Sequence, residues 1–183
     1  TLSTITSKCL TGMDEAIECL RPDLILVHGD TTTTFSGALS AFYHKVPVGH
    51  VEAGLRTYDK YSPYPEEMNR KLVTAIADLY FCPTENNRQN LLKEGVDQGI
   101  FVTGNTVIDA LKTTVDKEYR FTTDLLNRLP YGEKKILLVT CHRRENYGKP
   151  MEQIMTALRR VAEDHPEAEL VYPVHLSPAV QEA

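Results

Sequence analysis

The sequence predicts an α/β fold with parallel strands, on three observations. Short apolar runs recur along the chain, polar turns rich in Gly, Thr, Asn or His follow them, and helical spacing fills the stretches between. Such alternation is the sequence form of βαβ units. The apolar runs lie at 24–27, 46–51, 79–82, 100–103, 136–140 and 170–174. All are short enough to be strands buried between helices in a parallel sheet.

The elements between them follow in order. Residues 2–20 read as an amphipathic helix, and a helix that opens an α/β chain ordinarily follows a strand, so the chain is expected to begin mid-protein. Thr1 is not an initiator Met, and no basic start or apolar core of a secretory signal follows it. Residues 33–44 form the next predicted helix. Residues 65–77 form another, with Pro65 in the first turn, where its missing N–H is harmless. Thr84 precedes a further helix that Gly95 closes as a C′ residue, and 106–117 continues as a helix after the fourth strand. From 118 to 135 the text turns aromatic, Pro-containing and charged. This marks a boundary between two α/β domains: 1–118, a connection over 119–135, and 136–183.

With 42% hydrophobic and 25% charged residues, the 183-residue chain can bury a core. No apolar run approaches the roughly 18 residues that span a bilayer, so no membrane partner is expected. A net charge of -5 argues against an electrostatically driven nucleic-acid binder. The remaining partner class is a small molecule. Cys9, Cys19, Cys82 and Cys141 contain no Cys-x-x-Cys pair, so neither metal nor dithiol chemistry is predicted and a reduced, cytosolic compartment fits. The absence of G-x-G-x-x-G, P-loop and G-x-S-x-G elements removes the usual support for dinucleotide oxidoreductases, P-loop NTPases and α/β-hydrolases.

In parallel sheets the ligand crevice lies beyond the carboxyl ends of the strands. The residues there are His28-Gly29-Asp30-Thr31, Glu52-Ala53-Gly54, Gly104-Asn105-Thr106, then Cys141-His142-Arg143-Arg144 and His175-Leu176-Ser177-Pro178. A Gly and Thr-rich loop feeding a helix start suits a diphosphate, although Asp or Thr there is more often a simple cap. Glu52 follows a buried strand and needs a partner, for which Arg56 is close enough in sequence; a plain ion pair is the competing explanation. Glu66 and Glu67 sit in a helix's first turn, where the macrodipole alone favours acids. His142 and His175 stand at equivalent strand ends, fit for proton transfer or phosphate contact, and Arg143 and Arg144 add planar donors.

The strings "HGDTTTT", "GHVEAGLRT", "SPYPEEMNR", "TGNTVIDAL", "TCHRREN" and "PVHLSP" resemble, in order and spacing, the non-hydrolysing UDP-N-acetylglucosamine 2-epimerases. The resemblance implies two Rossmann-like domains of GT-B type with parallel sheets, only partly covered by this chain. It also implies a cytoplasmic isomerase without a cofactor that serves cell-surface polysaccharide biosynthesis. Asp30, Glu52, Glu66 and His142 match the family's catalytic residues. Glu66, Arg143 and His175 match positions linked with a second UDP-GlcNAc, an allosteric activator, and the full-length family members are commonly homodimers. Ser177 stands where many relatives carry Asn. The implied chemistry removes the C2 proton as UDP leaves C1, giving 2-acetamidoglucal, and adds UDP back with C2 inverted. The alternatives are a hydrolysing 2-epimerase that releases ManNAc and UDP, a GT-B glycosyltransferase, and a non-catalytic nucleotide-sugar sensor.

Overall fold

The computed structural model describes residues 1–143 and 146–182, which form two compact units, Thr1–Val115 and Asp116–Ala183. The first is built on four parallel strands, β1 (Ile25–His28), β2 (Val48–Val51), β3 (Leu79–Cys82) and β4 (Ile100–Val102), adjacent in chain order. Each parallel pairing requires a crossover. Helices α2 (Thr32–Tyr43), α3 (Glu66–Ile76) and α4 (Glu85–Lys93) supply them, while α1 (Leu2–Leu20) precedes β1 and α5 (Thr106–Thr114) follows β4.

Small residues decide how closely these layers approach. Ser36, Gly37, Ala38, Ser40 and Ala41 are fully or almost fully buried along α2, which packs against α1, α3 and β1. The core they share includes Ile17, Val27, Val48, Val73, Tyr80, Cys82 and Leu91. Gly49 occupies the middle of the sheet because a Cβ there would lie 2.6 Å from the Leu26 side chain and 3.2 Å from Phe81.

Caps fix where the helices start. Thr31 accepts the Thr34 N–H, and Thr84 with Asn87 forms a reciprocal capping box at α4. Pro65 is the N-cap of α3 rather than a first-turn residue, so the helix proper begins on Glu66. Gly95 follows the C-cap of α4 with φ +88, the conformation that its place as C′ residue requires.

The second unit contains α6 (Asp124–Asn127), the parallel pair β5 (Lys135–Leu138) and β6 (Ala168–Val171), α7 (Lys149–Asp164) and α8 (Pro178–Gln181). The short helix α6 lies in the stretch expected to be connecting chain. Met151, Ile154, Met155 and Leu158 carry the helical spacing of α7, of which Met151 is fully buried. Strand β6 starts two residues before the apolar run at 170, because its ladder is set by pairing Lys135 with Ala168. Among the described residues no helix is long and apolar enough to cross a membrane.

Burial separates the cysteines. Cys82 is fully buried and its thiol is pushed up to about 11, chiefly by loss of hydration, whereas Cys19 is exposed. A thiolate is the reactive form. A maleimide probe at neutral pH is therefore expected to label Cys19 in the native protein and to reach Cys82 only after denaturation, as mass spectrometry of the peptides can read.

Candidate active site

The carboxyl ends of β1 and β2 and the start of α3 bring the predicted carboxylates of the first unit to one edge. Asp30 lies two residues past β1. Its Oδ2 accepts two hydrogen bonds from Arg70 of α3, from Nη2 at 2.6 Å and Nε at 2.9 Å. Its backbone carbonyl accepts another from the Asn69 side chain at 2.9 Å. The turn after β1 is thus gripped by α3 through both backbone and side chain.

Glu52 follows β2 directly, in an unusual conformation. Its φ is +68°, the left-handed region, which costs a residue with a Cβ about 1–2 kcal/mol. Ladder bonds on either side hold it there: Gly29 N–H donates to the Val51 carbonyl and Ala53 N–H to the Phe81 carbonyl, both at 3.0 Å. Gly54 then turns with φ +82 so close to α4 that an added Cβ would lie 2.3 Å from the Asn87 carbonyl oxygen, and Asn90 donates to the Gly54 carbonyl at 3.0 Å. A strained residue over-determined by its neighbours is a feature of functional sites.

The Glu52 carboxylate meets other strand tips. Oε2 lies 3.6 Å from Nε2 of His28 at the end of β1, and Oε1 takes a 3.5 Å bond from the side chain of Asn105, the N-cap of α5 after β4. Sequence proximity suggested Arg56 as its partner, and the structure corrects this. Arg56 forms a two-pronged pair with Glu94, at 2.8 and 2.7 Å, and also donates to Thr74 and the Leu55 carbonyl. Two parallel donors matched to two carboxylate oxygens outcompete a nearby single contact.

Glu66 is the first residue of α3, half-buried, on the helix face it shares with Asn69 and Arg70. The following residue, read from the sequence only as a first-turn acid, is the structural centre of the site. Glu67 is fully buried and accepts from the N–H groups of Tyr58 at 3.0 Å and Thr57 at 3.1 Å and from Arg70 Nη1 at 3.2 Å. Burial pushes its pKa up. The two backbone bonds and Arg70 outweigh that effect, leaving the carboxyl below its ordinary value.

His50, also missed in the sequence, is fully buried one residue before the end of β2. Its Nε2 contacts the Gly29 carbonyl at 2.8 Å, and since a carbonyl only accepts, the ring must donate there. Nδ1 is then the buried acceptor without a partner among the described residues, and loss of hydration draws the pKa down. The neutral ring buttresses the loop that carries Asp30. Its neighbours in β2 are buried or half-buried on both sides of the strand, and nothing in that local sequence separates a core histidine from a working one.

The second unit carries the other predicted residues. The rings of His142 and His175 stack with centroids 5.2 Å apart and planes 25° from parallel. Nδ1 of His175 accepts the Ser177 N–H at 3.0 Å, which fixes the ring's hydrogen on Nε2 when it is neutral. His142, Arg143 and His175 are exposed. Arg144 lies outside the described residues. Among those residues one group of ligand-type side chains clusters within 4.8 Å: Asp14, Glu18 and His44, at the ends of α1 and α2. Within that cluster the His44 ring and the Asp14 carboxylate are hydrogen-bonded to each other.

The family model of UDP-N-acetylglucosamine 2-epimerase matches residues 1–183. This chain belongs to that family. It is 55% identical over its whole length to UDP-N-acetylglucosamine 2-epimerase of Bacillus subtilis and 50% identical, over 99% of its length, to that of Escherichia coli. It covers 47% and 50% of those two proteins. Among solved structures it matches S. aureus MnaA in a co-structure with UDP, with TM-score 0.93 and 54% identity. It also matches UDP-GlcNAc 2-epimerase from Neisseria meningitidis bound to UDP-GlcNAc, with TM-score 0.91 and 42% identity. Both matches take in all of this chain, and 49% and 50% of the two structures. The chain thus spans about half the length of its relatives, and its fold is the α/β, parallel-sheet class of these GT-B-type epimerases.

The depressed pKa of Glu67 fixes the sign of a pH effect. Because the folded value lies below the unfolded one, near 4.3, its contribution is complete above the unfolded value and is lost as pH falls through the folded one. Chemical denaturation is expected to show wild type more stable than Glu67→Gln at pH 7, with the gap closing below about pH 4. An unchanged gap at pH 3 contradicts the assignment.

Proposed function

We propose that the complete protein carrying this chain interconverts UDP-N-acetylglucosamine and UDP-N-acetylmannosamine by inverting C2 of the sugar. A base takes the C2 proton, the C1–O bond breaks with its electron pair leaving on UDP, and a C1=C2 double bond forms in 2-acetamidoglucal. UDP then adds back at C1 as C2 is protonated on its opposite face. No redox group is needed, because no hydride moves.

One observation carries this reading: Asp30, Glu52 and Glu66 are gathered at the carboxyl ends of β1 and β2 and at the start of α3. C2 is not next to a carbonyl, so no enolate eases its deprotonation, and positive charge must build at C1 as UDP departs. Carboxylates beside the ring can take the proton and stabilise that charge. The strain at Glu52 and its long contacts to His28 and Asn105 leave that carboxylate the least committed to the scaffold of the two whose contacts are resolved. His142 and Arg143 supply donors for the diphosphate, and Glu66, Arg143 and His175 are the candidates for a second, activating UDP-GlcNAc.

In this reading residues 1–118 are the later part of an N-terminal Rossmann-like domain, 119–135 the connection, and 136–183 the beginning of a C-terminal one. The complete protein acts as a cytoplasmic homodimer.

Incubation with UDP-GlcNAc in deuterium oxide, followed by NMR, tests the chemistry. Deuterium at C2 together with UDP-ManNAc is expected, and Asp30→Asn, Glu52→Gln and Glu66→Gln are each expected to slow incorporation about 100-fold or more. Replacement of His142 by Asn is expected to slow turnover as well. Free ManNAc as the sole product, or an unlabelled sugar, overturns the reading.

A further inference from the structure

We infer that Arg70 is the positioning residue of the reaction, held by the buried carboxylate of Glu67 so that it fixes Asp30 at the tip of β1. The inference rests on the proposed catalytic role of Asp30 and goes beyond it, because neither Arg70 nor Glu67 touches substrate in it.

The geometry is a relay of one guanidinium between two acids. Nε and Nη2 both bond Oδ2 of Asp30, and Nη1 bonds Oε2 of Glu67. The Arg70 side chain is 12% exposed and that of Glu67 not at all, so water does little to loosen the arrangement. Among the described residues Oδ1 of Asp30 accepts no hydrogen bond, which leaves one oxygen of the carboxylate for other work while the other is clamped. Asn69, one residue earlier on α3, holds the Asp30 carbonyl, so two successive side chains of one helix set both position and orientation.

Glu67 extends the constraint. By accepting the Thr57 and Tyr58 N–H groups it seats the start of the segment that runs on to Pro65, where Tyr58, Tyr61 and Tyr64 are exposed. The loop after β1 and the segment before α3 are thereby tied to the same buried carboxylate. A lysine could form one of these ion pairs as a point charge. It lacks the planar fork that serves two carboxylates in fixed directions.

The test uses the complete protein and the variants Arg70→Met, Arg70→Lys, Arg70→Ala, Glu67→Gln and the Arg70→Met/Glu67→Gln double. With wild type active, Arg70→Met is expected to lower kcat about 100-fold, the scale of a misplaced catalytic group, with KM changed less than about 3-fold. Lysine is expected to restore little. Methylguanidine added to Arg70→Ala is expected to recover activity in proportion to its concentration, a response that general destabilisation does not give. The double variant is expected to match Arg70→Met in kcat, since both changes break one relay. A kcat for Arg70→Met near that of wild type, or multiplying losses in the double variant, overturns the inference. Crystal structures of wild type and Arg70→Lys give a readout independent of activity. An Asp30 carboxylate in the same orientation in both refutes the positioning role even if the complete protein proves not to be an epimerase, whereas absence of C2 exchange in wild type bears on the proposed function alone.

Discussion

Taking a carboxylate out of water costs several kcal/mol unless donors replace its hydration, and the first unit is organised around one residue that has met this condition. Glu67 is completely covered, and three donors from two parts of the chain surround it. Because one of those donors is Arg70, the same carboxylate reaches Asp30 at one remove. The turn after β1, the segment after residue 56 and the first turn of α3 are therefore not independent loops. Loss of Arg70 leaves the buried charge with its two backbone donors alone, at a cost of about 1–3 kcal/mol.

A parallel sheet explains why this happens at one edge. All four strands point the same way, so their carboxyl ends and the starts of the following helices crowd together. Glu52 spans that crowd, with His28 from β1 on one oxygen and Asn105 from the turn after β4 on the other. Close approach has its own requirements. Gly54 sits where a Cβ would strike the backbone of α4, and Gly49 where it would strike Leu26, so the path into and out of Glu52 depends on side chains that are absent.

Much of this was legible in the sequence, for identifiable reasons. The run 79–82 coincides with β3 because every residue in it is apolar and buried or half-buried. The run at 24–27 is displaced by one, since β1 takes in polar His28, whose ladder partner is Val51. The predicted carboxylates Asp30, Glu52 and Glu66 were legible as strand-end and helix-start residues. Their supports were not. Glu66 and Glu67 are adjacent glutamates in one first turn, and only tertiary burial separates the half-exposed one from the covered one. Arg56 and Arg70 lie at similar remove from acids in sequence, yet one is claimed by Glu94, 38 residues on, and the other by Asp30, 40 residues back. Long-range pairing of this kind leaves no local pattern to read. His50 is hidden for the same reason, since its partner is the Gly29 carbonyl across the sheet.

Under the proposed function, one clamped carboxylate array at the carboxyl ends of the strands surrounds the reacting carbons of a nucleotide sugar. A crystal structure of the complete protein with UDP-GlcNAc bound tests it most directly. C1 and C2 of the hexose are expected among Asp30, Glu52 and Glu66, with Asp30 still bonded to Arg70. A sugar ring bound away from these three carboxylates, or an Asp30 released from Arg70 in the complex, contradicts it.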